Sequence, residues 1–453
     1  MKKIVFLSIS LFIINNIIGQ NYYMPTPEGF GAAATGGGTP TISNTVTVTN
    51  YTQLKNALTS TAVATAVILV SGTIDCVYTS VLLTNKTIIG LPGARLVNNI
   101  QTAAGSGILY IKPNSKNVII RNLIFEGPGA WDVDGRDNLT NEGTDVWIDH
   151  CEFQDGMDGN FDNKGECDNT TISWCKFTYL KAPKTTGYVS GGTPDHRFSN
   201  LVGSSGTDFP ATDGHYSITF QNCYWAEGCK GRMPRARNAE LHLLNCYFNV
   251  VNPGTSTILS SSLAIGLGGG SKNTTCYVEN SDFAKVAKVY DITSYSGDGG
   301  TIGLAFTGCL NRADLAAGTP VTKPTYAYTV IPVADVATYI PDATCGAGAT
   351  LSVTAAGVIS ACNILSIEDH ALQGGKIYPT TVDTNLNVDL SESISGTAII
   401  NIYSLTGGKV FSYYKNVIPA EKLSLNLSKL SKGMYLCNLK IGDVSSTWKF
   451  LKK

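Results

Sequence analysis

Six segments of this chain repeat one short pattern, and the repeat leaves few ways to fold. They are residues 118–125, 146–153, 170–177, 218–225, 241–248 and 277–283. Each reads as a short strand with alternating apolar residues, then a polar residue, a small or apolar one, and an aromatic two further on. Nearest copies lie roughly 23 to 28 residues apart, with longer gaps where loops intervene. One such unit cannot bury its apolar face alone, so the coils must stack into a continuous core. Short strands joined by Asn, Gly and Asp turns, without helices between them, point to an all-β chain built as a right-handed, single-stranded parallel β-helix. A propeller or sandwich competes, but unequal loops between copies suit it less.

Stacking sets equivalent side chains one strand spacing apart, about 4.8 Å. Cys151, Cys175, Cys223 and Cys246 are therefore expected to form an internal ladder beside Phe153, Phe177, Trp225 and Phe248. These thiols read as small core hydrophobes rather than disulfides. The absence of a CxxC pair among the twelve cysteines disfavours a zinc or thioredoxin-like reading. Cys345 and Cys362 flank a Gly/Ala-rich stretch and are the pair expected to bridge.

The ends differ from the middle. Met1, Lys2 and Lys3 precede an apolar run over residues 4–18, which reads as a secretory signal peptide of residues 1–19, a retained anchor helix being the alternative. No later segment is long and apolar enough to span a bilayer. The β-helix is assigned to 20–362. After it, alternating strands over 366–453 read as a small C-terminal β-sandwich. With 15% charged residues and a net charge of −1, the chain is not expected to bind nucleic acid or a membrane through a basic surface. It is expected to be exported and monomeric.

Three segments carry chemistry. The run 232–237 holds Arg232, Arg235 and Arg237 around Pro234; the run 155–162 holds Asp155, Asp158 and Asp162. Clustered guanidinium groups near clustered carboxylates suit an acidic ligand with a hard cation as bridge. The third segment is a long Gly-, Pro- and Ser-rich insertion at 181–215 containing Asp195, His196 and Arg197. Long loops on a rigid scaffold usually carry function. In a solenoid, such segments on successive coils share one face and can converge.

These residues resemble a known family. Trp147-Ile148-Asp149-His150, the Asp158/Asp162 spacing, Thr171-Ile172-Ser173-Trp174, Arg232-x-Pro234-x-x-Arg237, then His242 and Asn245, are similar to the pectate lyases of polysaccharide lyase family one. The strong motifs span roughly 115–250 and the likeness extends over 25–345. The C-terminal part resembles the type IX secretion sorting domain of Bacteroidetes, which implies the type IX machinery as partner and a secreted or surface-associated location.

The resemblance implies a calcium-dependent lyase that cleaves polygalacturonate by β-elimination. Asp137, Asp158 and Asp162 match the calcium-binding acids, with Asp134 a weaker extra candidate. Arg232 matches the residue that takes the C5 proton, and Arg237 a substrate-binding partner; Pro234 fixes the turn between them. Arg235 becomes an exposed or secondary contact. A guanidinium ordinarily stays protonated, so the Arg232 role implies an alkaline working range. His196 and Arg197 match a substrate-binding segment, yet Phe198 stands where the family carries a lysine, and Arg197, Lys181 or Lys184 could compensate. Asp149 and His150, neighbours on a strand, should point to opposite faces, which favours a structural role. A pectin lyase, a β-helical polygalacturonase and a non-catalytic pectin-binding β-helix stay open as alternatives. The acid cluster argues against the first, and the Arg motif is unexplained by the second.

Overall fold

The computed structural model describes residues 22–131, 134–184, 195–293, 296–312, 316–360, 376–390, 395–404, 408–441 and 444–453, the last without the side chains of 444–446. The proposed signal peptide lies outside them. Compact units divide at Cys362/Asn363.

The first unit is the β-helix. Among the described residues its coils form one long sheet of eleven strands and two of eight, parallel except for Ile302–Thr307 with Ala316–Gly318, and a separate antiparallel pair joins Ser352–Val353 to Ile359–Ser360. Each complete coil contributes one strand to each sheet, and the long sheet continues past them at its ends. The long sheet runs through Lys116–Arg121, Thr144–Asp149, Asp168–Ser173, Tyr216–Gln221, Ala239–Leu244 and Thr274–Glu279. A single left-handed residue then turns the chain into an eight-stranded sheet. That residue is Asn122, His150, Trp174, Asn222, Asn245 or Asn280, with φ between 45° and 58°. Asn adopts this conformation at low cost, which explains its recurrence there. The same turn corrects one expectation. Because His150 has φ 47°, strand alternation ends before it, and its Nδ1 sits 2.9 Å from Asp149 Oδ2 rather than on the opposite face.

The ladders stack as expected. Phe153 pairs in register with Phe177, Phe177 with Trp225, and Trp225 with Phe248, at ring separations of 5.5, 5.5 and 4.7 Å. Cys151, Cys175, Cys223 and Cys246 are free and fully buried. Each thiol lies 3.3–3.7 Å from a carbonyl of the preceding coil, as Cys223 does from that of Ile172, so each weak donor has an acceptor. Cys345 takes part in a disulfide; its expected partner, Cys362, lies outside the described residues.

Two short α-helices were not foreseen, one of them Val333–Tyr339. The other, Tyr51–Thr59, is N-capped by the Asn50 side chain, which accepts from the Gln53 amide, and buries Leu54, Ala57 and Leu58 against the first coils. A stacked core needs such a cover at its end. The second unit packs a three-stranded antiparallel sheet and a five-stranded sheet around one core that includes Leu386, Val388, Leu425, Ile400, Leu439 and Phe450. This is the expected small sandwich.

Candidate active site

The candidate residues gather on and around one eight-stranded sheet of the β-helix. Its strands include Thr79–Val81, Leu109–Ile111, Leu139–Asn141, Phe161–Asn163, Leu201–Val202 and Arg235–Ala236, in that spatial order. Register aligns Ser80, Tyr110, Thr140, Asp162, Leu201 and Arg235 in one column.

Asp137 and Asp162 face one another across adjacent coils, 4% and 3% exposed. Asp137 Oδ2 accepts from Thr140 Oγ1 at 2.9 Å, and Asp162 Oδ1 from the Leu201 amide at 3.0 Å. Burial, then the neighbouring Asp158 charge, pushes the Asp137 carboxyl up from its ordinary range; burial, then Asp137, pushes Asp162 well up. Asp158 is half-buried, with Oδ1 2.9 Å from His196 Nδ1. Asp134 is exposed on the preceding turn.

Two observations test whether a hard cation fits here. Asp137 Oδ1 is buried with no hydrogen-bond partner, an arrangement that costs free energy unless something else meets it. A Cβ added at Gly159 would stand 2.7 Å from that oxygen and 3.2 Å from Asp162 Oδ1, so only glycine leaves the space beside both free. These oxygens suit calcium. Among the described residues no three His, Cys, Asp or Glu side chains close into a preformed cage.

Lys164 completes the charge pattern, and sequence reading missed it. Its Nζ lies 3.9 Å from Asp137 Oδ2. Burial works against its ammonium, yet Asp137, Asp162 and Glu142 hold its pKa above the usual value. The signal was available: two residues beyond Asp162, it projects to the same side of the strand.

Arg232 enters from the other side, half-buried and with φ 55°, just before a cis Met233–Pro234 bond. Its Nη2 is 3.3 Å from His196 Nε2 and its Cζ 4.6 Å from the centre of the Phe198 ring. The Arg232 charge partly offsets the upward shift of both Asp137 and Asp162. His196 thus bridges the two halves of the site, with Nδ1 toward Asp158 and Nε2 toward Arg232.

The remaining residues are more occupied. Arg237 is buried, with Nε 2.6 Å from Asp298 Oδ2 and Nη1 3.2 Å from the Gly203 carbonyl. Arg197 is held by Asp195 through two bonds of 2.5 and 2.8 Å. Arg235 is half-buried in its strand rather than exposed. Lys181 is held by Glu126 and the Gly127 carbonyl, and Lys184 lies 5.0 Å from the Trp131 ring.

A family model described as pectate lyase matches residues 24–350. The chain belongs to the pectate lyase family. A second model, a secretion system C-terminal sorting domain, matches residues 376–453. A pectate trisaccharide-lyase of Thermotoga maritima is 34% identical over 175 residues, 37% of this chain and 41% of that protein. The chain thus spans about two fifths of the length of the first curated relatives it matches. A probable pectate lyase B of Aspergillus terreus is 29% identical over 324 residues, 69% of this chain and 86% of that one. Among solved structures, a pectate lyase from Paenibacillus sp. 0602 aligns with a TM-score of 0.52 at 18% identity, covering 73% of this chain and 97% of the other. The major cedar pollen allergen jun a 1 aligns at 0.50 and 17%, covering 71% and 92%. At that identity the two structures show the shared fold.

Proposed function

We propose that this protein is a secreted, calcium-dependent pectate lyase that cleaves α-1,4-linked polygalacturonate to 4,5-unsaturated oligogalacturonates. The observation that carries the reading is the pairing of two buried carboxylates, Asp137 and Asp162, with Arg232 across one face of the coils. Family membership supports the lyase assignment. The sorting domain supports export through the type IX machinery; among the described residues no helix is long and apolar enough to cross a membrane.

Asp137, Asp162 and Asp158 would hold calcium, which when bound neutralises a substrate carboxylate and stabilises the negative charge that develops beside it. Lys164 draws a second uronate carboxylate to the same cleft. Arg232, having given a proton to solvent in the alkaline working range, takes the C5 proton on its neutral guanidino nitrogen and so returns to the guanidinium. The electron pair of that C–H bond becomes the C4–C5 double bond, the C4–O bond breaks, and the departing oxygen is protonated from solvent. His196 and Phe198 hold the Arg232 guanidinium in place through the contacts given above. Arg237 shapes the substrate wall while paired with Asp298, and Arg197 and Pro234 fix the loop and turn around it.

The test is product chemistry. Purified protein with polygalacturonate should generate ultraviolet-absorbing unsaturated product, suppressed by a chelator, and much less with highly methyl-esterified pectin. Product formation indifferent to chelation would sink the calcium reading. New reducing ends without the chromophore would indicate a hydrolase.

A further inference from the structure

On the side of the site away from Arg232 lies a cleft of about 330 Å³ bordered by Tyr78, Tyr110, Arg136, Glu142 and Lys164, with Asp137 and Asp158 at its inner end. We propose that it is a distal subsite for one uronate unit of the polymer, and that it sets how far the chain must extend for tight binding. The inference rests on the lyase reading and deepens it.

The walls are built for an acidic sugar. The Tyr78 and Tyr110 rings lie within 14° of parallel with centres 6.5 Å apart, and both are half-buried on the outer face. Aromatic faces carry partial negative charge and accept the C–H face of a sugar ring. The Arg136 guanidinium lies 3.6 Å from the centre of the Tyr78 ring, at cation–π distance. A Cβ at Gly107 would stand 2.7 Å from Arg136 Cβ and 3.3 Å from Tyr78 Cδ2, so glycine lets the two close up. Arg136 and Lys164 provide two cations for a carboxylate, and Glu142, hydrogen-bonded to the Tyr110 hydroxyl, provides an acceptor for a sugar hydroxyl. A volume near the lower end of small-ligand sites (about 300–1,000 Å³) favours a single sugar unit over an oligomer.

Position gives the subsite its role. Tyr110 pairs with Thr140 on the next coil and Thr140 with Asp162 on the one after. Tyr110 therefore stands two strand spacings, about 10 Å, from Asp162, and its strand lies four spacings, about 19 Å, from the strand that follows Arg232. A sugar stacked on Tyr78 and Tyr110 lies beyond the unit whose carboxylate would meet calcium at Asp137 and Asp158. It adds affinity to longer chains without touching the reacting atoms.

The experiment compares full-chain protein with Tyr78→Ala, Tyr110→Ala, Tyr110→Phe and Arg136→Ala on oligogalacturonates of increasing length, with melting curves as the fold check. KM for the longest oligomers should rise about tenfold in Tyr78→Ala, Tyr110→Ala and Arg136→Ala. Their kcat, and the KM for the shortest cleavable oligomer, should not move. Tyr110→Phe, which keeps the ring, should match wild type. A length profile unchanged in both Tyr78→Ala and Tyr110→Ala overturns the subsite. If wild type forms no unsaturated product, the lyase reading fails by itself, and calorimetry then judges the subsite separately. Hexagalacturonate binding that weakens about tenfold in Tyr110→Ala sustains it. Equal binding by the variant, or equal binding of a neutral oligosaccharide, overturns it.

Discussion

The Phe198 ring lies 4.6 Å from the Arg232 guanidinium carbon, at the position where the resembling family carries a lysine. An aromatic face there holds one cation in place where a lysine would bring a second. A contact of this kind contributes about 0.5–2 kcal/mol. Phe198→Ala should therefore lower kcat/KM by roughly three- to thirtyfold, mostly through kcat, with little change in melting temperature. Steady-state kinetics on polygalacturonate checks it, and an unchanged kcat would show that the ring does not position Arg232.

The carboxylate pair predicts an opposite response of stability with and without metal. Asp137 and Asp162 are buried; the Asp158 charge raises the Asp137 pKa, and the Asp137 charge raises that of Asp162. In chelator, Asp137→Asn should melt higher than wild type because one buried, repelling charge is gone. In calcium at a hundred times its Kd, wild type should gain about 2.7 kcal/mol and the variant much less. Calorimetric melting in calcium and in chelator reads both. An equal calcium gain in the variant would place the ion elsewhere.

His242 gives a pH dependence separate from catalysis. Its imidazole is fully buried on the long sheet, with Nδ1 2.8 Å from the Tyr326 hydroxyl and Nε2 3.6 Å from Glu279 Oε2; Lys323 lies close by. Burial pushes its pKa down to about 4, against the partial compensation of Glu279. The unfolded chain takes up a proton near pH 6.5 while the folded one does not, so stability falls as pH drops from about 6.5 toward 4. The slope should approach 1.4 kcal/mol per pH unit. Replacing His242 by Gln should flatten that limb in denaturant titrations at successive pH values.

The aromatic ladder predicts a structural effect with no chemical counterpart. Phe177 is fully buried, with ring centres 5.5 Å from both Phe153 and Trp225. Phe177→Ala should lower the stability of the β-helix by roughly 3–5 kcal/mol. Activity at low temperature should survive, measured on the folded fraction.

Legibility followed the physics of each feature. The coils, the Cys151 to Cys246 ladder and the stacked aromatics could be read because burial imposes a period on the sequence. The Arg232 turn and the Asp158/Asp162 spacing could be read because each lies within a few residues. Lys164, Tyr78 and Tyr110 could not be assembled that way: register between coils brings them together across gaps of 32 and 54 residues. The Asp149–His150 contact was missed because alternation assumes extended backbone, and the left-handed turn at His150 breaks it. The capping helix at Tyr51–Thr59 was missed because it is short and amphipathic on one narrow face.

The most direct test of the proposed chemistry is the rate of unsaturated product formation from polygalacturonate, in saturating calcium, by wild type and Arg232→Lys. The lysine keeps the positive charge but loses the planar guanidino group. The account predicts a loss of at least about a thousandfold in kcat, on the order of 4 kcal/mol, with an unchanged melting temperature. A variant that retains near-wild-type kcat would contradict it.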